Sequence, residues 1–150
     1  MAQSLSQILL HVIFSTKERR PFLSSTIRPQ VHAYLAATAR QLGAECYRAG
    51  GIEDHVHLAV RLPRTLSVSK LVEQVKSSSS KWIKTLGPTW ETFAWQAGYG
   101  AFSISRTHLS QLVDYIGGQE EHHRKMSFQD EYRALLRKLR VDFDERYVWD

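Results

Sequence analysis

The sequence predicts an α+β fold of ferredoxin-like (RRM-like) type: a four-stranded antiparallel sheet with helices on one face, followed by C-terminal helices. Three observations lead there. The hydrophobic pattern switches between alternation and three-to-four spacing in the order βαββαβ, one strand is apolar on a single side, and 150 residues match one ordinary core. Residues 1–150 are accordingly expected to form one domain.

The first strand is Ile8–Ser15 (ILLHVIFS), a run of apolar and β-branched residues ended by Lys17-Glu18-Arg19-Arg20 and Pro21. A helix follows over Thr26–Leu42, where Ile27, Val31, Leu35, Thr38 and Leu42 recur at helical spacing before Gly43. Ala44–Ile52 and His55–Leu62 read as a hairpin turning at Glu53-Asp54, with Pro63 closing it. Alternation puts Val56, Leu58, Val60 and Leu62 on one face and His55, His57, Ala59 and Arg61 on the other, which this reading leaves open. Ser67 caps a helix to about Leu86, ended by Gly87-Pro88 and striped by Val68, Leu71, Val72, Val75, Trp82, Ile83 and Leu86. A fourth strand is expected within Phe93–Ser105, centred on Tyr99–Ile104. A helix from about Thr107 buries Leu109, Leu112, Val113 and Ile116. Ser127 with Asp130 caps a last helix, buried through Phe128, Tyr132, Leu135, Leu136 and Leu139.

Composition narrows the function classes. With 43% hydrophobic and 23% charged residues, a disordered or fibrous chain is excluded. Lys and Arg outnumber Asp and Glu by 20 to 15, an excess that favours a polyanionic partner without requiring one. A lone Cys46 forms no internal disulfide and suits a reducing compartment. No apolar run approaches the roughly 18 residues of a membrane span, and Met1–Gln7 lacks a cationic leader, so a cytoplasmic protein that avoids membranes is expected.

His55 and His57, two apart on a strand, project to the same side and form a candidate metal-ligand pair; an isolated pair of this kind is more often hydrogen-bonded or surface histidine. Tyr115 and Gln119 lie one helical turn apart, with His108, Gln111 and His122 along the same flank. A phenol with a pKa near 10 needs a cation or a base to become nucleophilic. If Gln119 turned its amide oxygen to the two imidazoles, one divalent ion would have three protein ligands and open positions for a phosphate oxygen. His122-His123 reads as a basic flank and not a ligand pair, because adjacent helix positions diverge; His11 has no assigned role. Lys17, Arg19 and Arg20 are candidate phosphate contacts, with Lys70, Lys81 and Lys84 a second basic surface. Trp82, Trp90 and Trp95 are candidates for stacking on unpaired bases, against the alternative of core packing, which is stronger for Trp82.

In combination, Asp54-His55-Val56-His57-Leu58, Tyr115-Ile116-x-x-Gln119, Trp95-Gln96-x-Gly98-Tyr99-Gly100-x-Phe102-Ser103 and Arg146-Tyr147-x-Trp149 resemble the single-tyrosine HUH transposases of the insertion-sequence 200/605 type. The likeness spans nearly the whole chain. It implies a tyrosine attack on single-stranded DNA that yields a 5′-phosphotyrosyl link and a free 3′-OH, later reversed on another strand without ATP. It further implies Tyr115 as nucleophile, Mg²⁺ or Mn²⁺ held by His55, His57 and Gln119, hairpin-bearing element ends as partners, and a homodimer in which one subunit's tyrosine helix completes the other's histidine site. Gly117-Gly118 departs from the bulkier residues usual between Tyr and Gln. Each glycine costs a helix about 0.5–1 kcal/mol relative to Ala, so a frayed or kinked tyrosine helix is expected, for close packing or for movement. The rival readings are a non-catalytic single-strand binding module, a metallonuclease that activates water, and a domesticated HUH nuclease serving its host.

Overall fold

The computed structural model describes Met1–Asp150. Its elements run β1 (Ile8–Ser15), α1 (Arg28–Gln41), β2 (Glu45–Gly51), β3 (His55–Leu62), α2 (Val68–Ile83), β4 (Gly100–Ile104), α3 (Leu109–Gly117), α4 (Gln119–His122) and α5 (Phe128–Lys138). The four strands form one antiparallel sheet in the order β2-β3-β1-β4, the ferredoxin-like arrangement. Strand β1 is central, and its apolar run is buried from Leu9 to Ser15.

Local chemistry explains the boundaries. Helix α1 carries Pro29 in its first turn and ends at Gly43, whose φ of 91° suits a residue without Cβ. Ser67 Oγ accepts from the Lys70 N–H at 3.1 Å, and Ser127 Oγ accepts from the Asp130 N–H at 3.2 Å, so both anticipated caps form. At the β2–β3 turn Gly51 has φ 151°, and a Cβ there would overlap the His55 carbonyl. That glycine lets the hairpin close directly onto the first histidine. Helix α2 stops at Ile83, short of Leu86, and β4 is confined to Gly100–Ile104. The segment before it runs as irregular chain, with Phe93 and Trp95 buried and Trp95 bridging to Thr16.

The main core lies between α1, α2 and one face of the sheet, around Val12, Phe14, Val31, Leu35, Val56, Leu58, Leu71 and Val75. The opposite face is not open as the alternation suggested. Leu9, Ala59, Leu109 and Ile116 form a second buried cluster there, and Ile13, Phe128, Tyr132 and Leu136 a third. The physical reason is that Leu9, Ile13 and Ala59 make this face partly apolar, and α3 and α5 each carry an apolar stripe that has to be covered. His55 and His57 are therefore fully buried. Leu139, expected in the last helix's stripe, lies beyond its end and is exposed.

Trp82, Trp90 and Trp95 pack into or against the main core. Trp95 Nε1 donates to Ser79 Oγ at 2.9 Å, Trp90 Nε1 to the Phe22 carbonyl at 2.7 Å, and Trp82 stacks on Tyr34. No helix is long and apolar enough to cross a membrane.

Candidate active site

Strand pairing sets the first part of the site. Ser15 is opposite His55 and Ile13 opposite His57, so both imidazoles emerge beside the C-terminal half of the central strand. His11, one pleat further along that strand, reaches diagonally, and its Nε2 shares a hydrogen bond with His57 Nδ1 at 2.7 Å. Asp54 Oδ1 sits 2.8 Å from His55 Nδ1 and accepts its proton. Each histidine thus has its Nδ1 engaged and its Nε2 turned inward, the orientation that outer groups impose on metal-binding imidazoles.

The second part comes from the C-terminal elements. Glu131, on α5, is buried at the centre. Its Oε1 lies 3.1 Å from His57 Nε2, 3.2 Å from His123 Nε2 and 3.5 Å from His55 Nε2. Its Oε2 accepts hydrogen bonds from the Tyr115 hydroxyl and from Gln119 Nε2 at 3.1 Å, and lies 3.2 Å from His122 Nε2 without hydrogen-bond geometry. One carboxylate therefore faces the imidazoles with one oxygen and the phenol with the other. Gln119 Oε1 points the same way as Oε1 of Glu131, 2.9 Å from His55 Nε2 and 3.0 Å from His123 Nε2.

These contacts set the ionisation pattern. Burial pushes the Glu131 carboxyl up, but hydrogen bonds from His123, His55 and His57 outweigh it and hold the group well below the usual carboxylate range. Burial lowers His55 too, yet Asp54 and Glu131 reverse that and raise it to about 9. His57 falls to about 4 and His11 to about 3, chiefly because burial disfavours their charged forms. Burial and Glu131 together push the Tyr115 phenol above its ordinary value, so as it stands it is a bound neutral hydroxyl.

The chemistry of the donor set fits a divalent cation. One ligand atom each from His55, His57, His123 and Glu131 fall within 4.8 Å of one another. Three imidazoles and a carboxylate suit a first-row transition metal such as Mn²⁺ better than Mg²⁺, which prefers oxygen. Two of these groups, His57 and Glu131, line a cleft of about 550 Å³ between α3 and α5, where they and His11, Tyr115 and His122 meet apolar Leu112, Tyr132 and Leu135. Tyr115 is 36% exposed in this cleft, accessible to a substrate while its hydroxyl points inward.

The sequence-predicted residues divide into two groups. His55, His57, Tyr115 and Gln119 are brought together, although α3 ends at Gly117 and Gln119 begins a separate short helix at the Gly118 break. Lys17, Arg19 and Arg20 lie just past the end of β1, at the His55 end of the sheet. Lys17 and Arg20 are exposed there, Arg20 pairs with Glu18 at 3.0 Å, and Arg19 lies over the Trp149 ring. His122 and His123 do not diverge: α4 stops at His122, so the two rings fold back 5.1 Å apart toward one carboxylate. Sequence reasoning missed Glu131, His123 and His11. Glu131 had left a signal, as the one acid within the Phe128, Tyr132, Leu135, Leu136 stripe of α5. His11 had one too, flanked at two-residue spacing by Leu9 and Ile13 on a strand.

A ferredoxin-like sheet thus carries a paired-histidine cluster with a tyrosine hydroxyl at the cluster's edge. The chain matches the family model described as "Transposase IS200 like" over residues 4–119, and it belongs to that family. Among solved structures it is similar to a candidate transposase from Deinococcus radiodurans R1, at 22% identity and a TM-score of 0.62, covering 79% of this chain and 98% of that one. It is also similar to a REP-associated tyrosine transposase bound to a REP hairpin, at 16% identity and a TM-score of 0.59, covering 82% of this chain and 74% of the other. Both likenesses support the fold. No curated protein matches the chain.

Proposed function

We propose that this transposase is a metal-dependent single-strand DNA transesterase with Tyr115 as its nucleophile. The observation that carries the proposal is Glu131, whose two oxygens join the Tyr115 hydroxyl to the imidazoles of His55 and His57. In the proposed step the Tyr115 oxygen bonds to a backbone phosphorus and the P–O3′ bond breaks. The products are a 5′-phosphotyrosine and a 3′-OH, which takes up the proton that the phenol gives up. Glu131 accepts the Tyr115 hydrogen bond and so orients the phenol oxygen in the cleft. Because one ester replaces another, the covalent link stores the bond for strand transfer and no ATP is needed.

His55, His57 and Gln119 are the proposed metal ligands, with Glu131 Oε1 and His123 as further donors from the C-terminal elements. A bound Mg²⁺ or Mn²⁺ would polarise the phosphate and offset the charge that develops on it. The chain's own residues do the rest. His11 and Asp54 orient the two histidines, and the apolar side of the cleft limits water that would otherwise hydrolyse the adduct.

The proposed substrate is single-stranded DNA carrying hairpin ends. The net charge and the hairpin-bound structural neighbour support this, and Lys17, Arg19 and Arg20 are the proposed phosphate contacts beside the site. The site of action is the cytoplasm, in keeping with the single unpaired Cys46. A homodimer accords with the resemblance, but all the proposed catalytic groups meet within one chain.

The test mixes the protein with Mn²⁺ or Mg²⁺ and single-stranded oligonucleotides carrying candidate element ends. A denaturation-resistant adduct mapped to Tyr115 is expected, and Tyr115→Phe should abolish it while leaving DNA binding intact. Cleavage that persists in Tyr115→Phe would point to a water-activating nuclease. Binding without cleavage by the wild-type chain would favour a recognition module.

A further inference from the structure

A second cavity, of about 240 Å³, lies on the other side of α3 from the cleft, against the edge strand β2. Its lining includes Arg28, His32, Arg48, Gly117, Gln119 and Glu120. Gln119 is therefore a shared wall: it lines this cavity while its amide oxygen stands 2.9 Å from His55 Nε2.

The polar groups here are arranged unevenly. Arg28 is held in place, only 13% exposed, by the Leu23 carbonyl at 3.0 Å and by Glu120 at 2.8 Å, with Glu53 at 3.8 Å. Glu120 is 71% exposed, so solvent can replace it on Arg28. Arg48 pairs with no carboxylate. Its guanidinium lies against the backbone of α3, where a Cβ at Gly117 would come within 2.9 Å of Nη2. His32 Nε2 is buried without a hydrogen-bond partner. An arginine whose close carboxylate partner is solvent-exposed, a second arginine with no carboxylate and an unpartnered imidazole nitrogen describe a pocket equipped for a larger oxyanion.

We infer that this cavity binds a backbone phosphate of the single-stranded DNA on the other side of α3 from the scissile one, with Arg28 and Arg48 as its cationic ligands and Glu120 as the group it displaces. The inference rests on the strand-transferase reading and extends it to substrate positioning. Gly117 then has a role: the small residue beside the nucleophile lets Arg48 lie flat on the tyrosine helix. A strand held on both flanks of α3 would be fixed in position across Tyr115.

The experiment measures affinity for a single-stranded oligonucleotide across a salt series, with thermal unfolding as the check on folding. Arg48→Gln should reduce the slope of log K against log salt by about 0.7, one lost phosphate contact on a single strand. Glu120→Gln should do the reverse and tighten binding, since it removes the competing carboxylate. A neutral methylphosphonate walked along the strand should weaken the wild-type protein at each contacted linkage, and at one of these it should have no further effect on Arg48→Gln. An unchanged slope in Arg48→Gln, or equal losses in both proteins at every linkage, overturns the inference. Competition by inorganic phosphate that is lost in Arg48→Gln, with no linkage whose effect depends on Arg48, overturns it too and marks a free-anion site. A wild-type chain that binds no single strand or forms no Tyr115 adduct fails at the earlier reading instead.

Discussion

At the scale of single residues, the site is organised by groups that would not bind substrate themselves. His57 has two neighbours that fix its ring: Glu131 at Nε2 and His11 at Nδ1. With the carboxylate as acceptor, Nε2 carries the proton and Nδ1 accepts from His11. Coordination of a cation through Nε2 requires the other tautomer, with Nδ1 donating to His11, and the same 2.7 Å contact serves both. His11→Ala should leave every direct ligand in place yet lower Mn²⁺ affinity about 10- to 100-fold, the usual cost of losing an orienting partner. A titration of the metal-free chain with Mn²⁺, followed by electron paramagnetic resonance, measures this. Equal affinities in the two proteins would reduce His11 to packing. The residue scale is also where the sequence said least. His55, His57, Tyr115 and Gln119 were legible because two-residue and four-residue spacings are local facts. Glu131 showed only as an acid in an apolar stripe, and neither its partners nor the role of His123 was legible, because a carboxylate 74 residues from His57 becomes its neighbour only through tertiary packing.

At the scale of elements, the joint between α3 and α4 connects Tyr115 to Gln119, and the two glycines in it do different things. A Cβ at Gly117 would press on the Arg48 guanidinium, whereas one at Gly118 would meet only Asp114 and Tyr115 carbonyl oxygens at 3.5 and 3.8 Å, ordinary contact. The Gly118 backbone, at φ −96° and ψ 16°, is open to any residue, and its N–H still bonds to the Asp114 carbonyl at 3.0 Å. Close packing therefore accounts for Gly117 and leaves Gly118 as a source of looseness. Gly118→Ala should stabilise the fold by about 0.5–1 kcal/mol through the unfolded chain, and slow amide exchange around Tyr115. Thermal unfolding and hydrogen exchange would show both. If exchange there already matches that of α1 in the wild-type chain, the joint is not mobile. The order of the strands and longer helices was legible, though not the separate α4, because apolar periodicity and caps at Ser67 and Ser127 are written locally. What covers the second face of the sheet was not, since alternation in β3 distinguishes its two sides without saying whether α3 and α5 return to one of them.

At the scale of the whole molecule, the question is how many chains make one site. The resemblance implies a pair in which each tyrosine helix serves the other subunit's histidines. Here the Tyr115 hydroxyl, Gln119 and the two β3 histidines converge on one Glu131 of the same chain. Leu109 and Ile116 anchor α3 to Leu9 and Ala59 of that chain's own sheet, so moving the helix to a partner would expose a buried apolar cluster. The expected arrangement is therefore assembly within one chain. A mixing experiment decides it, using Tyr115→Phe, which keeps the histidines, and His57→Ala, which keeps the tyrosine. Shared sites would restore adduct formation in the mixture, because one of the two sites in a mixed pair would have both intact groups. Self-contained sites would leave the mixture as inactive as either variant, and the wild-type adduct rate per chain would not change on dilution. We expect the second outcome; recovery of adduct on mixing would show that α3 exchanges between subunits despite the packing that holds it at home.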